Sequence, residues 1–306
     1  MVIKNFLFHR ISPIRDKLWD PMSPELFDKV INYINKNYHI VSLESYYLSS
    51  AKEKYSKPLA TILFDDGYKD NIDYAADILK KYNCSASFYV VTDCIDKNIP
   101  TWTYIFEYLF QNTQKLSVDF NKEDIPEIFK ISTWSDKNER IEYARKFKPY
   151  LKQVSHNKRE SIINCIMLNF DDVLLPKTMM SWDDINELSD SGFIIGSHSV
   201  THTMLATIED KNLLYRELND SAKIISEKTG KYPITISYPI GSYDNQVIEY
   251  SKKCGYKLGL AVKQRFYDSE KDNLFEIPRV ELYNESWFKT KLRISGTLEI
   301  IKKIIR

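Results

Sequence analysis

Glycine is scarce in this chain, with eight residues in 306. Lysine, asparagine, isoleucine and tyrosine are abundant in its place, a bias that genome base composition can produce and that carries no functional information. Cysteine is nearly as sparse. Cys84, Cys94, Cys165 and Cys254 show no metal-type spacing, which excludes a cysteine metal cluster. They read as the reduced thiols of a cytoplasmic protein. Charge of one sign is also missing. The net charge is +1 with no basic block, which argues against a dedicated nucleic-acid binder. No apolar run is long enough to span a bilayer, and 28% charged residues is a soluble composition. The first residues lack the apolar core and small-residue cleavage site of a signal peptide, so the expected location is cytoplasmic. What remains is one large domain or two ordinary ones, with enough chain for a sizeable core.

The most informative stretch is Thr61 to Gly67, a short apolar run ending in Asp65, Asp66 and a glycine. It is too short for a helix and reads as a buried strand breaking into a turn. Side chains alternate along a strand, so the two carboxylates are expected to point differently, one toward a metal and one toward a reacting water. Turn chemistry alone is the competing account. A first strand is expected over Val2 to Phe8, ending at His9. Ser23-Pro24 starts a helix, with Ser at the N-cap and Pro at the first helical position. A short strand over Tyr38 to Leu43 and a polar approach at 52–58 precede the Thr61 strand. Asn71 to Tyr82 has an amphipathic helical stripe and Ser85 to Val91 is β-prone, so the unit is strand–helix–strand and the sheet α/β.

From about Asp96 to Lys177 the rhythm stops. Helices are expected over Thr103–Phe110, Glu139–Leu151 and Lys158–Leu168, with no strand. Trp102, Tyr104, Phe106 and Trp134 could line a sugar site, but such aromatics usually belong to a core. The α/β pattern returns at Ser181. Strands are expected at Phe193–Ile195, Ile234–Tyr238, Tyr256–Val262 and Phe275–Val280. Helices are expected at Asp210–Lys228 and Asn245–Cys254, closed by Gly230 and Gly255. The tail from Trp287 to Arg306 reads as helical, with Gly296 as an interruption.

Asp65-Asp66, His198 and the Tyr238-Pro239 turn each follow a predicted strand, which is where ligands gather in parallel α/β folds. His198 and His202 are four apart, a spacing that can place two imidazoles on one side of a helical turn. With Asp66 they would form a two-His, one-carboxylate set with open positions for water and substrate. Only five histidines occur in the chain, which sharpens the pairing.

Phe64-Asp65-Asp66-Gly67, His198-Ser199-Val200-Thr201-His202 and Tyr238-Pro239-Ile240-Gly241, in this order, resemble the first three motifs of the polysaccharide deacetylase family, carbohydrate esterases with a NodB-type domain. The resemblance covers roughly residues 1–95 and 180–282. It implies an α/β fold, a distorted (β/α) barrel of about seven strands, here over 1–95 plus 180–306 with a helical insertion or cap at 96–179. It also implies a divalent metal held by Asp66, His198 and His202, with Asp65 as the general base and the Ile240 backbone N–H in the oxyanion hole. Zn2+ suits two imidazoles and a carboxylate, and Ni2+, Co2+ or Fe2+ can use similar ligands. Two features depart from the pattern. Ser237 stands where the family has the arginine that pairs with the base, and Arg279 is the substitute. No histidine follows His202 to serve as the acid, and His9 replaces it, because Phe8-His9-Arg10-Ile11 resembles the start of a permuted branch of the family. His39 and His156 sit in no motif.

The implied activity is metal-dependent removal of an N-acetyl or similar acyl group from an amino sugar in cell-surface glycan biosynthesis. The partner is then an N-acylated amino-sugar or glycan substrate. One alternative is deformylation, or another C–N hydrolysis, on a lipid- or nucleotide-linked sugar or small metabolite. A second is an inactive carbohydrate-binding relative.

Overall fold

The computed structural model describes residues 2–48, 55–120 and 124–298. Parts of the predicted 52–58 approach and of the predicted tail helix lie outside them.

The chain opens with β1 (Val2–Phe8) and α1 (Pro24–Asn37). Ser23 caps α1 by accepting from the Leu26 N–H at 3.1 Å, and Pro24 occupies the first turn where its missing N–H costs nothing. Then come β2 (His39–Ile40), α2 (Leu43–Leu48) and β3 (Leu59–Phe64). All six residues of β3 are buried, as a strand covered on both faces requires. The predicted helix after Gly67 is present, but Asn71–Ala76 is π-helical and only Asp77–Lys81 (α3) is α-helical. The wide turn accompanies a buried Asn71, whose side-chain amide bonds the His9 carbonyl at 2.7 Å.

β4 (Ser87–Val90) and α4 (Thr92–Lys97) lead into the middle stretch. This holds α5 (Trp102–Asn112), β5 (Ser117–Asp119), α6 (Glu127–Lys130), β6 (Ile131–Thr133), α7 (Lys137–Leu151) and α8 (His156–Asn169). The antiparallel pair β5–β6 corrects the expectation of an all-helical stretch. Each strand has three residues, too few to show alternation in the sequence. Ile105, Phe106, Phe110, Phe129, Phe147, Ile162 and Phe170 belong to an apolar cluster separate from that of the sheet.

The rest is α9 (Trp182–Asp190), β7 (Ile194–Ser197), α10 (Lys211–Thr229), β8 (Thr235–Ser237), α11 (Asn245–Lys253), β9 (Leu258–Leu260), β10 (Tyr267–Asp268), β11 (Val280–Glu281) and α12 (Trp287–Ser295). Ser181 and Asp184 form a capping box at the start of α9. Gly296 closes α12 in the left-handed conformation and helix resumes at 297–298, the interruption expected from the sequence.

The main sheet runs β10-β1-β3-β4-β7-β8-β9, with β11 on β1 and β2 on β3. The strands are parallel except for β10, which runs antiparallel to β1, and the sheet curls with helices around it into a distorted (β/α) barrel. The segment after β10 closes it: Ile277 bridges to Leu260 of β9, and Val280 pairs with Phe6 of β1. The continuous strand expected at Phe275–Val280 is therefore two short contacts. Pro278 between them has no N–H to give a ladder. Arg279 sits in that gap, fully buried. Below the site, Phe64 stacks between Phe8 and Phe88 with ring centroids 5.4 and 4.8 Å away. Burying each such ring contributes roughly 1.5–3 kcal/mol.

Candidate metal centre and active site

Asp65 and Asp66 follow β3 directly, and the chain turns there because Asp66 and Gly67 both take positive φ, 78° and 85°. The turn separates the carboxylates as alternation predicted. The Asp65 amide still extends the sheet, donating to the Phe8 carbonyl at 3.1 Å. Its carboxylate accepts from Arg279 Nη1 at 2.8 Å and from Ser237 Oγ at 3.1 Å. Burial alone would raise the Asp65 pKa, but the Arg279 guanidinium, with His198 behind it, holds it below the usual carboxylate value. Arg279 is steadied by a bond from Nε to the Ala261 carbonyl at 3.2 Å. Ser237, read from the sequence as unable to replace the pairing arginine, does not supply a charge but does supply a hydrogen bond.

Asp66 turns to the histidines. Its Oδ1 lies 3.2 Å from Nε2 of His198 and 3.2 Å from Nε2 of His202. Burial would raise Asp66, yet attraction by His202 and contact with both imidazoles hold it well below the ordinary range. His198 Nδ1 is 2.7 Å from the Ser237 carbonyl, an acceptor only, so Nδ1 carries a proton and Nε2 is the ring nitrogen turned to the cluster. His202 arrives differently from the expectation. Residues 198–202 form a loop and no helical turn, with Ser199 and His202 at φ 66° and 60°. Glu217 on α10 moulds that loop by accepting from the Val200 and Thr201 amides, each at 3.0 Å.

Ligand atoms of Asp66, His198 and His202 all lie within 4.8 Å of one another, and all three residues are buried. Asp66 Oδ1 is buried and accepts no hydrogen bond despite the two ring nitrogens beside it. A buried, charged, unpaired oxygen is costly, and a cation in the middle of the three groups would satisfy it. The donor set therefore fits a divalent metal.

A cavity of about 200 Å³ opens over these groups. His9, Asp65, Asp66, His198, His202 and Ile240 all line it, and Arg279 sits beneath through Asp65. Ile240 has φ 58°, a genuine outlier for a β-branched residue. His9 stands at the end of β1 with Nδ1 3.4 Å from Glu281 Oε1. Trp19 meets its ring edge-on at 5.3 Å. Glu281, Trp19, Thr103, Lys148 and Lys152 also line the cavity and were not singled out from the sequence. Glu281 had one available signal: it lies two residues past Arg279. Tyr104, Phe106 and Trp134 are core, whereas half-buried Trp102 donates to the His202 carbonyl at 3.2 Å. Buried His156 contacts Thr203 Oγ1 at 2.7 Å. It lines a separate cavity of about 330 Å³ that holds none of the predicted catalytic groups.

The sequence model described as Polysaccharide deacetylase matches residues 52–259, about two thirds of the chain. The chain belongs to the polysaccharide deacetylase family. It is similar to the putative polysaccharide deacetylase YxkH of Bacillus subtilis (strain 168), 25% identical over 87 residues. That stretch is 28% of this chain and spans only 31% of the relative. Among solved structures, it resembles the Streptococcus pyogenes deacetylase PplD in complex with acetate, with a TM-score of 0.64 and 16% identity over 96% of this chain and 98% of that one. It also resembles the Bacillus cereus polysaccharide deacetylase BC0361, with a TM-score of 0.61 and 20% identity over 96% and 69%. At these identities the structural likeness shows the deacetylase fold. Among the described residues, no helix is long and apolar enough to cross a membrane.

Proposed function

We propose that this protein is a metal-dependent hydrolase that removes an acetyl or related acyl group from the nitrogen of an amino sugar, in the making of a glycan. The observation that carries the reading is the division of labour between adjacent carboxylates. Asp66 belongs to the metal set, while Asp65 shares its cavity but is engaged by Arg279 and Ser237. A pure binding site has no need of an ionised carboxylate held beside a ligand set but outside it. Asp66, His198 and His202 would hold the cation, zinc fitting best, and it would supply an acidified water and a Lewis acid for the acyl oxygen. Asp65 takes the proton from the attacking water, and Arg279 keeps it ionised for that purpose. The Ile240 N–H would donate to the developing oxyanion. His9, oriented by Glu281 and Trp19, returns a proton to the leaving amine. Residues 96–179 are an insertion in this reading, which their separate apolar cluster supports.

The test is acetate release from N-acetylglucosamine oligomers by protein stripped of metal and reloaded with Zn2+. Asp65→Asn should keep the metal and lose turnover. Turnover at the wild-type rate in that variant would overturn the role of Asp65. Full metal loading without acyl release from any N-acyl amino sugar would overturn the hydrolase reading.

A further inference from the structure

The catalytic cavity has walls of two origins. The barrel supplies His9, Asp65, Asp66, His198, His202, Ile240 and Glu281, while the opposite wall is Thr103, Lys148 and Lys152 from the middle stretch. Both lysines come from the carboxyl end of α7, where cations are favoured by the helix dipole whatever else they do. Their pairing separates them. Lys148 Nζ meets Glu107 Oε1 at 2.5 Å, and Glu107 is buried. Lys152 has no carboxylate within 4 Å of Nζ among the described residues, although it faces the same cavity. Glu281, the other acid at the mouth, lies against His9. The ammonium group of Lys152 therefore stands over the reacting cavity with no carboxylate in contact, attracted only from a distance by Glu107 and Glu281. Its setting is also strained: lost hydration, then repulsion from Lys148, lower the Lys152 pKa, although the residue as a whole is exposed.

The cavity is small. At about 200 Å³ it falls below the range for drug-sized ligands, so it holds the reacting sugar and little more. Whatever is attached to that sugar on the α7 side meets Lys152. We propose that Lys152, backed by Lys148, forms a subsite for an acidic group, phosphate or carboxylate, carried on the N-acylated amino sugar or on its immediate neighbour. The subsite rests on the reading of the cavity as a deacylation site and narrows its substrate class to acidic glycans or glycan precursors. Lys152 acts by positioning and selection and touches no reacting atom.

The experiment compares zinc-loaded wild type, Lys152→Ala and Lys152→Arg on three probes: N-acetylglucosamine as its neutral methyl glycoside, N-acetylglucosamine 6-phosphate, and N-acetylmuramic acid. In Lys152→Ala the ratio of kcat/KM for an acidic probe to that for the neutral one should fall about tenfold, the loss of one charge-assisted hydrogen bond. The fall should appear in KM, and Lys152→Arg should restore the ratio. A fall for the phosphate probe alone identifies phosphate, and one for the muramic acid alone identifies carboxylate. Calorimetric binding of the same probes to the same proteins gives a readout independent of turnover. If nothing is hydrolysed but acidic probes bind preferentially and Lys152→Ala abolishes that preference, the deacylase reading fails and the subsite stands. If neither rates nor binding distinguish acidic from neutral probes, or Lys152→Ala leaves the ratio where it was, the subsite is overturned.

Discussion

Glu44 and the Asp65–Asp66 pair are buried carboxyl groups of one barrel, set toward opposite ends of its strands. Glu44, on α2, accepts from the hydroxyls of Ser87, Tyr89 and Thr235, at 2.8, 3.0 and 3.0 Å. Ser87 and Thr235 are the first residues of β4 and β8, so Glu44 lies toward the amino ends. Asp65 and Asp66 lie past the carboxyl end of β3 among a guanidinium and two imidazoles. Burial raises Glu44, and three neutral hydroxyls only partly oppose it. The same burial at the other end is overcome, and both aspartates are held low. Depth does not decide the charge of a buried carboxyl; the charge of its neighbours does. One end of the barrel is thereby equipped for structure and the other for chemistry.

The contrast can be broken most severely at the chemical end. His9→Ala should lower acyl release by about 10²–10⁴, the usual contribution of a general acid, while metal content and the melting transition stay near wild type. A wild-type rate would remove His9 from the reaction. Arg279→Met strikes what keeps Asp65 charged. Losing one partner of a buried pair costs about 3–5 kcal/mol, to be read from denaturant unfolding, and turnover should fall with it. A loss under 1 kcal/mol would show that Asp65 does not depend on the arginine.

Glu44→Gln sharpens the structural end, with the smallest effect. The folded-state pKa of Glu44 is raised, so the folded protein holds its proton more tightly than the unfolded chain. Its favourable contribution is complete below the ordinary glutamate pKa and is lost as the pH rises toward the raised value. Glutamine keeps the hydrogen-bonding shape without a titrating proton. The variant should therefore lose less stability than wild type over that window, with turnover retained. An unchanged pH profile of unfolding would show that Glu44 is ionised in the folded state.

Local chemistry made much of this legible in advance. The Ser23-Pro24 and Ser181–Asp184 helix starts are written in adjacent residues, as is the strand ending at Phe64, while the strand expected at Phe193–Ile195 runs on to Ser197. The failures have a common cause. The β5–β6 hairpin is too short to show a period, and the π-helical turn at Asn71 reflects a tertiary bond to the His9 carbonyl. The strand expected through Arg279 is split around Pro278 because its two halves close different edges of the barrel.

By itself, the sequence brought forward the candidate metal set and base. Asp65, Asp66 and His198 closely follow strand ends, a parallel barrel delivers strand ends to one face, and His202 comes with the loop after His198. It also named Arg279 and His9 as candidates, but their partners came only with the tertiary structure. Arg279 reaches Asp65 across 214 positions of chain because the Ile277–Glu281 segment closes the barrel. Glu281 meets His9 because β11 pairs with β1. Lys152 enters the cavity because α7 of a separate apolar cluster packs over the barrel mouth. Such contacts depend on how strand edges and helix faces meet, and periodicity within one segment carries no record of the segment it will pack against.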